Sequence, residues 1–234
     1  VSRPDALLSI IVPVYNEAAT VGAVIERLIT IALPTAREII VINDGSSDGT
    51  RAALDAFADH PAVRIVHAAV NGGKGSAIRL GLGEVRGTIV AIQDADLELD
   101  PAQLAELVRP ILAGETDVVY GSRFLDGRGQ APWLTVAANR VLTVVTNVLY
   151  GGRLTDMETC YKVMATPVAQ SLKLVSNRFD IEPEITAKLL RAGHRIVEVP
   201  VRFSPRSQQA GKKIGWRDGV HALRALLEYR IGRR

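Results

Sequence analysis

The chain has 234 residues, 47% of them hydrophobic, enough to bury one substantial core or one core with a small appendage. Its 28 Lys and Arg against 25 Asp and Glu leave only +3, too mild a charge to argue for a nucleic-acid partner. A single cysteine, Cys160, excludes an internal disulfide framework and a multi-cysteine zinc site and suits a reducing compartment.

In chain order, the first apolar run, 7–14, is short and broken by Pro13, so it reads as a strand rather than a signal peptide. Further strand-like runs fall at 38–42, 63–66, 88–92 and 117–120, with helical stretches near 18–31, 48–58, 75–85 and 101–112. This alternation predicts an α/β fold with a mostly parallel sheet covered on both faces. After about Gly121 it lapses into helical stretches near 136–150 and 181–192, one strand-like run at 196–203 and a C-terminal amphipathic helix over 216–231. The longest apolar stretch, 133–150, carries Asn139, Arg140 and Asn147, so no membrane span is expected and the chain reads as soluble.

In open parallel sheets, ligands bind outside the carboxyl ends of the strands. Four polar strand exits gather there: Pro13-Val14-Tyr15-Asn16-Glu17, Asn43-Asp44-Gly45-Ser46-Ser47-Asp48, Asn71-Gly72-Gly73-Lys74 and Gln93-Asp94-Ala95-Asp96-Leu97-Glu98. In the last, alternate residues point the same way if the chain stays extended, so Asp94, Asp96 and Glu98 converge. Crowded carboxylates repel unless a cation sits between them, and oxygen ligands favour Mg²⁺ or Mn²⁺.

Two other motif readings fail on residue types. Asp44-x-Ser46-x-Asp48-Gly49 imitates the start of a calcium loop, but a strand precedes it and Asp55 stands where the terminal Glu belongs. Gly72-Gly73-Lys74-Gly75-Ser76 lacks both the earlier glycine of a phosphate loop and the hydroxyl residue after the lysine, which argues against a nucleoside triphosphatase.

Together these motifs resemble the family 2 inverting glycosyltransferases of the GT-A fold, within them the polyprenyl-phosphate (dolichol-phosphate) mannosyl- and glucosyltransferases. The resemblance extends through Gly121-Ser122-Arg123-Phe124, the segment from Thr155 to Lys162, Glu182-Pro183-Glu184 and Glu198-Val199-Pro200, from about Leu8 to Arg230. It implies a single GT-A domain over 1–234, with a nucleotide-sugar-binding half (about 1–121) and an acceptor half (about 122–234). It places Pro13, Tyr15, Glu17 and Asp44 along the base and ribose pocket of a donor such as GDP-mannose or UDP-glucose. Lys74 borders that pocket, Asp94 faces the ribose, and Asp96 holds the divalent cation on the diphosphate. Glu98 stands where many relatives carry Gln, so it either ligates the metal or supports its shell.

Catalysis of such a transfer lies largely in stabilising charge on the leaving diphosphate. Arg123 is the leading candidate, since guanidinium engages phosphate in a bidentate way. Arg140 and Arg202 with Arg206 follow, then Lys212 and Lys213. The segment 204–214, with Pro205, Gly211 and three basic side chains, has the makings of a lid.

The implied acceptor is a polyprenyl phosphate, already anionic near neutrality and able to attack without a strong base. Asp156 would then only orient it. A sugar-hydroxyl acceptor is the enzymatic alternative and would need Asp156 or Glu158 as base. A nucleotide-sugar-binding protein without turnover is the rival from another class, but the acidic cluster and Arg123 are both present. Cys160 reads as a packed residue. The stripe Trp216, Val220, Leu223, Leu227 and Ile231, flanked by arginines, suits a membrane interface, giving a peripheral protein on the cytoplasmic face.

Overall fold

Strand β1 (Leu7–Val14) buries Leu8, Ile10, Ile11 and Val12 completely. Such an unbroken, β-branched run belongs to a strand covered on both faces. It pairs in parallel with β2 (Ala36–Asn43) and β4 (Ile89–Ile92), and β2 pairs in parallel with β3 (Val63–His67), so that Ile11 lies between Ile40 and Ile92. The connecting helices are α1 (Val21–Thr30), α2 (Thr50–Asp55) and α3 (Lys74–Glu84). Helix α1 buries Val21, Val24, Ile25 and Leu28, a one-sided stripe at helical spacing. The computed structural model describes residues 6–125, 133–205 and 216–232, the last stretch with side chains from 219 onward.

A 3-10 turn, Pro101–Gln103, and α4 (Leu104–Leu112) lead to β5 (Val118–Ser122). Then come α5 (Trp133–Tyr150), β6 (Lys162–Ala165), α6 (Thr166–Ser171), α7 (Ile181–Arg191), β7 (Ile196–Pro200) and α8 (Trp216–Arg230). The sheet has seven strands in the order β3-β2-β1-β4-β6-β5-β7, and β6 runs antiparallel to both its neighbours. Both β6 and α6 escape the sequence reading. Strand β6 is four residues long and opens on a lysine, so it shows no alternation; its burial depends on an acidic partner from α7 that only the fold supplies.

Strands β5 and β7 run parallel to each other and, across β6, parallel to β4. The ends of β1 to β5 and β7, together with the start of β6, therefore share one edge of the sheet. Among the described residues no helix is long and apolar enough to cross a membrane.

Candidate active site

The exits of β1 and β2 are laced to each other by side chain to backbone bonds. Asn16, at φ 53°, receives the Ser47 amide on Oδ1 (2.9 Å), and its own amide donates to Ser46 Oγ (3.0 Å). Asp48 accepts from the amides of Ala18 (3.2 Å) and Thr50 (2.9 Å). Beside this lacing stand Pro13, half-buried, Tyr15, 37% exposed, and Glu17, whose carboxylate accepts from Thr20 Oγ1 at 2.8 Å. Asp44 is buried, and its two oxygens take the amides of Gly72 (2.8 Å) and Gly73 (2.7 Å). This carboxylate therefore shapes the β3–α3 loop, leaving only its remaining lone pairs for a ligand. The loop needs Gly73: its φ is 93°, and a Cβ there would stand 2.4 Å from the Asn177 carbonyl.

At the β4 exit the expected convergence of three carboxylates does not form. Leu97 adopts φ 61°, which turns the chain between Asp96 and Glu98, and Asp96 Oδ1 accepts the Glu98 amide at 3.1 Å. A bulky residue in that region marks a local constraint. The turn is pinned from within by Gln93, whose Nε2 donates to the carbonyls of Asp94 (3.0 Å) and Leu99 (3.2 Å).

Asp94 points elsewhere, to Lys74 Nζ at 2.8 Å. Lys74 also meets Glu182 of α7 at 3.0 Å, and Glu182 in turn pairs with the fully buried Lys162 of β6. Burial opposes the charge on Lys74, but Asp94 and Glu182 outweigh it and hold its pKa well above the ordinary lysine value. Burial likewise opposes ionised Asp94, and Lys74 reverses the effect, keeping that carboxyl below its usual range.

Among the described residues no group of three or more acidic, imidazole or thiol side chains is close enough to cage a metal. Asp96 and Glu98 nevertheless supply hard oxygens, both half-buried, in a neighbourhood where Asp94 and Glu182 already saturate the two lysines. Such oxygens fit Mg²⁺ or Mn²⁺, which is held through one or two carboxylates with phosphate oxygens completing the shell.

The β5 exit holds a different device. Arg123 donates from Nε and Nη2 to the two oxygens of Asp156, each at 2.7 Å, and its own amide adds a third bond at 3.1 Å. Asn139 of α5 donates to the same carboxylate at 2.9 Å. Burial raises the Asp156 pKa, but the Arg123 bonds win and leave it below the usual carboxylate range. The guanidinium lies by the rings of Phe124 and Phe203, 5.5 and 5.3 Å from their centroids. Glu198 of β7 fixes the turn beneath, accepting the Thr155 and Asp156 amides at 2.9 and 3.1 Å.

Two residues on, Glu158 buries Oε1 without a hydrogen-bond partner, and burial with Glu182 nearby pushes its pKa up to about 7. Cys160 is a buried thiol, raised well above its ordinary value by burial and by Asp94.

Comparison with known proteins decides the family. Residues 9–169 match glycosyl transferase family 2. The chain belongs to this family. It is a glycosyltransferase. It is 29% identical over 223 residues to polyprenol monophosphomannose synthase of Mycolicibacterium smegmatis, covering 91% of this chain and 83% of that protein. It is also 29% identical to undecaprenyl-phosphate mannosyltransferase of Micrococcus luteus, covering 88% and 86%. Coverage varies among relatives: the chain spans 33% of glycosyltransferase AglD of Haloferax volcanii. Glucosyl-3-phosphoglycerate synthase from Mycobacterium tuberculosis, solved with Mn²⁺, UDP and glucosyl-3-phosphoglycerate, superposes with a TM-score of 0.75 at 20% identity over 97% of this chain and 80% of that one. The GT-A fold is thereby established.

In this glycosyltransferase the fold brings Lys74, Asp94, Asp96 and Glu98 to neighbouring strand exits and joins Arg123 to Asp156. Arg140 lies exposed on α5, while Arg202 lines a cleft of about 340 Å³ with Glu98 and Asp100. Arg206, Lys212, Lys213 and most of the expected lid, 204–214, lie outside the described residues, as does the Trp216 side chain. Sequence reasoning missed the parts played by Asn139, Lys162, Glu182 and Glu198. The motifs Glu182-Pro183-Glu184 and Glu198-Val199-Pro200 carried a signal, since acidic residues in otherwise apolar elements need buried partners.

Proposed function

We propose that the protein transfers a hexose, mannose or glucose, from GDP-mannose or UDP-glucose to a polyprenyl phosphate at the cytoplasmic membrane face, inverting the anomeric centre. The observation that carries the acceptor is the state of Asp156. A carboxylate that accepts four hydrogen bonds, two from a guanidinium, and whose pKa is lowered is a weak base. Such a site suits a nucleophile that brings its own negative charge, as a phosphate monoester does. The two polyprenyl-phosphate mannosyltransferases that match most of the chain support the same reading.

In this scheme Pro13, Tyr15, Glu17 and Asp44 receive the base and ribose, with Lys74 bordering that pocket and Asp94 facing the ribose. Asp96, aided by Glu98, holds Mg²⁺ or Mn²⁺, which when bound neutralises charge on the leaving diphosphate. Arg123 would supply positive charge to the same diphosphate; Nε and Nη2 stay on Asp156, which fixes the plane of the guanidinium. Arg206 and Lys212, outside the described residues, would add positive charge to the same site. The product of an α-linked donor is β-linked.

Glu158 favours a second reading. A carboxyl near pKa 7 with an unpartnered oxygen is poised as a general base, which a hydroxyl acceptor would require. Purified protein, labelled donor and metal, offered either a short-chain polyprenyl phosphate or a water-soluble sugar, separates the two. Product with the lipid phosphate is expected; product only with the sugar overturns the acceptor and leaves the fold and family untouched.

A further inference from the structure

Helices α5 and α8 each bury one face and leave the other strongly apolar in solvent. On α5, Asn139, Leu142, Thr143 and Thr146 are buried, while Trp133, Val141, Val144 and Val148 are 75, 61, 59 and 78% exposed. On α8, Ala222, Ala225, Leu226 and Tyr229 are buried, while Val220 and Leu227 are 55 and 48% exposed and Ile231, just beyond it, 64%. Val220, Leu223, Leu227 and Ile231 of the C-terminal stripe thus face away from the protein, and α5, to which the sequence reading gave no such part, carries a second one.

The two faces adjoin. Tyr150 of α5 donates its hydroxyl to the Leu226 carbonyl of α8 at 2.5 Å. Val148 of α5 and Arg230 of α8 line one cleft of about 500 Å³ together with Leu190 and Arg191 of α7. Exposed apolar surface on two neighbouring helices marks an interaction site.

The charges select the occupant. Arg140, Arg224 and Arg230 are exposed among the apolar side chains. Helix α5 contains no acidic residue, and Glu228, the acidic side chain of α8 among the described residues, is tied to Arg224 at 2.7 Å. A second copy docking through the same face would bring these arginines towards their own copies, because an isologous interface is self-complementary. An apolar surface set with arginines instead complements anionic headgroups over an acyl interior.

We propose that the joined outer faces of α5 and α8 dock on an anionic lipid bilayer and so present the Arg123–Asp156 pair at its surface. The second part follows from the inner side of α5. There Asn139 holds Asp156 at 2.9 Å, Thr143 Oγ1 accepts the Met157 amide at 3.1 Å, and Asn147 exchanges bonds of 2.8 and 2.9 Å with Leu154. One helix therefore carries the docking face and the scaffold of segment 154–157. The proposal rests on the acceptor reading above in that a lipid-borne phosphate must be met at a bilayer.

The test uses the full chain with phosphatidylcholine vesicles, with and without phosphatidylglycerol. Sedimentation with the anionic vesicles is expected, weakened at high salt as the arginines are screened. Val144→Glu with Leu227→Glu, both on exposed sites, lowers vesicle affinity by more than about tenfold, while the melting temperature and transfer to a short-chain, water-soluble polyprenyl phosphate stay unchanged. Arg140→Glu weakens the same binding without removing apolar surface. Equal binding by wild type and variants, or no preference for anionic vesicles, overturns the proposal. So does a dimer in sedimentation velocity that the double variant dissolves. Failure of wild type to use the short-chain phosphate while vesicle binding persists would remove the acceptor reading alone.

Discussion

The two sides of the sheet edge are built by different physics. At the exits of β1, β2 and β3, polar side chains bind main-chain amides: Asn16 takes Ser47, Asp48 takes Ala18, and Asp44 takes Gly72 and Gly73. Around β5, β6 and α7 they bind one another as buried ion pairs, Arg123 with Asp156 and Lys162 with Glu182. The first side shapes its loops by contacts that are each modest. The second stores opposite charges in a low-dielectric interior, where breaking one pair is costly. Lys74 joins them, standing on the glycine loop and reaching Asp94 and Glu182.

The largest effect is expected between the two sides. Asp96→Ala should lower transfer by about 10³-fold and abolish metal-dependent donor binding, with the protein still folded. Calorimetric donor titrations with Mn²⁺ and with chelator check this; full activity in the variant or in chelator would remove Asp96 from metal binding.

The contrast in energetics predicts the next effect. Arg123→Ala should cut kcat by about a hundredfold while donor KM moves less than about threefold, since its charge matters most as the diphosphate departs. It also strands Asp156, so urea denaturation should show a loss of about 3 kcal/mol, partly recovered in the double variant with Asp156→Ala. Asp156→Asn should retain measurable transfer to a short-chain polyprenyl phosphate. A raised donor KM at unchanged turnover would move Arg123 to ground-state binding.

Glu158 sharpens the same contrast through pH. Its folded pKa, about 7, lies above the ordinary carboxyl value. The folded state therefore binds its proton more tightly than the unfolded chain does, and the carboxyl weakens the fold increasingly as pH rises from about 4.5 towards 7. Glu158→Gln should match wild type near pH 4 and exceed its stability by on the order of 2 kcal/mol at pH 8. Denaturation at the two pH values measures the gap. Turnover kept by this variant supports the phosphate acceptor, whereas its loss would favour a hydroxyl acceptor.

The smallest effect belongs to the first side. Asp48→Ala removes acceptors for the Ala18 and Thr50 amides at an exposed helix start, so about 1 kcal/mol of stability should go, with kcat unchanged. A loss as large as that of Arg123→Ala would erase the distinction between the two sides.

By itself the sequence determined what short-range patterns can encode. The apolar runs of β1 to β5, the helical stripe of α1 and the polar strand exits are all contiguous, so an α/β sheet with its site on one edge could be read directly. The motifs at those exits also marked the family. Tertiary structure alone decided the rest, because the partners lie far apart in the chain. Lys162 enters a buried strand only since Glu182 meets it from α7, and Asp156 is disarmed as a base by Arg123 and Asn139. The acidic triad looked convergent while the chain was assumed extended; the turn at Leu97 and the pull of Lys74 on Asp94 separate it. The C-terminal stripe shows the same limit. Helical spacing can place Val220, Leu227 and Ile231 on one face, but only packing shows that this face points outward, beside a second one on α5.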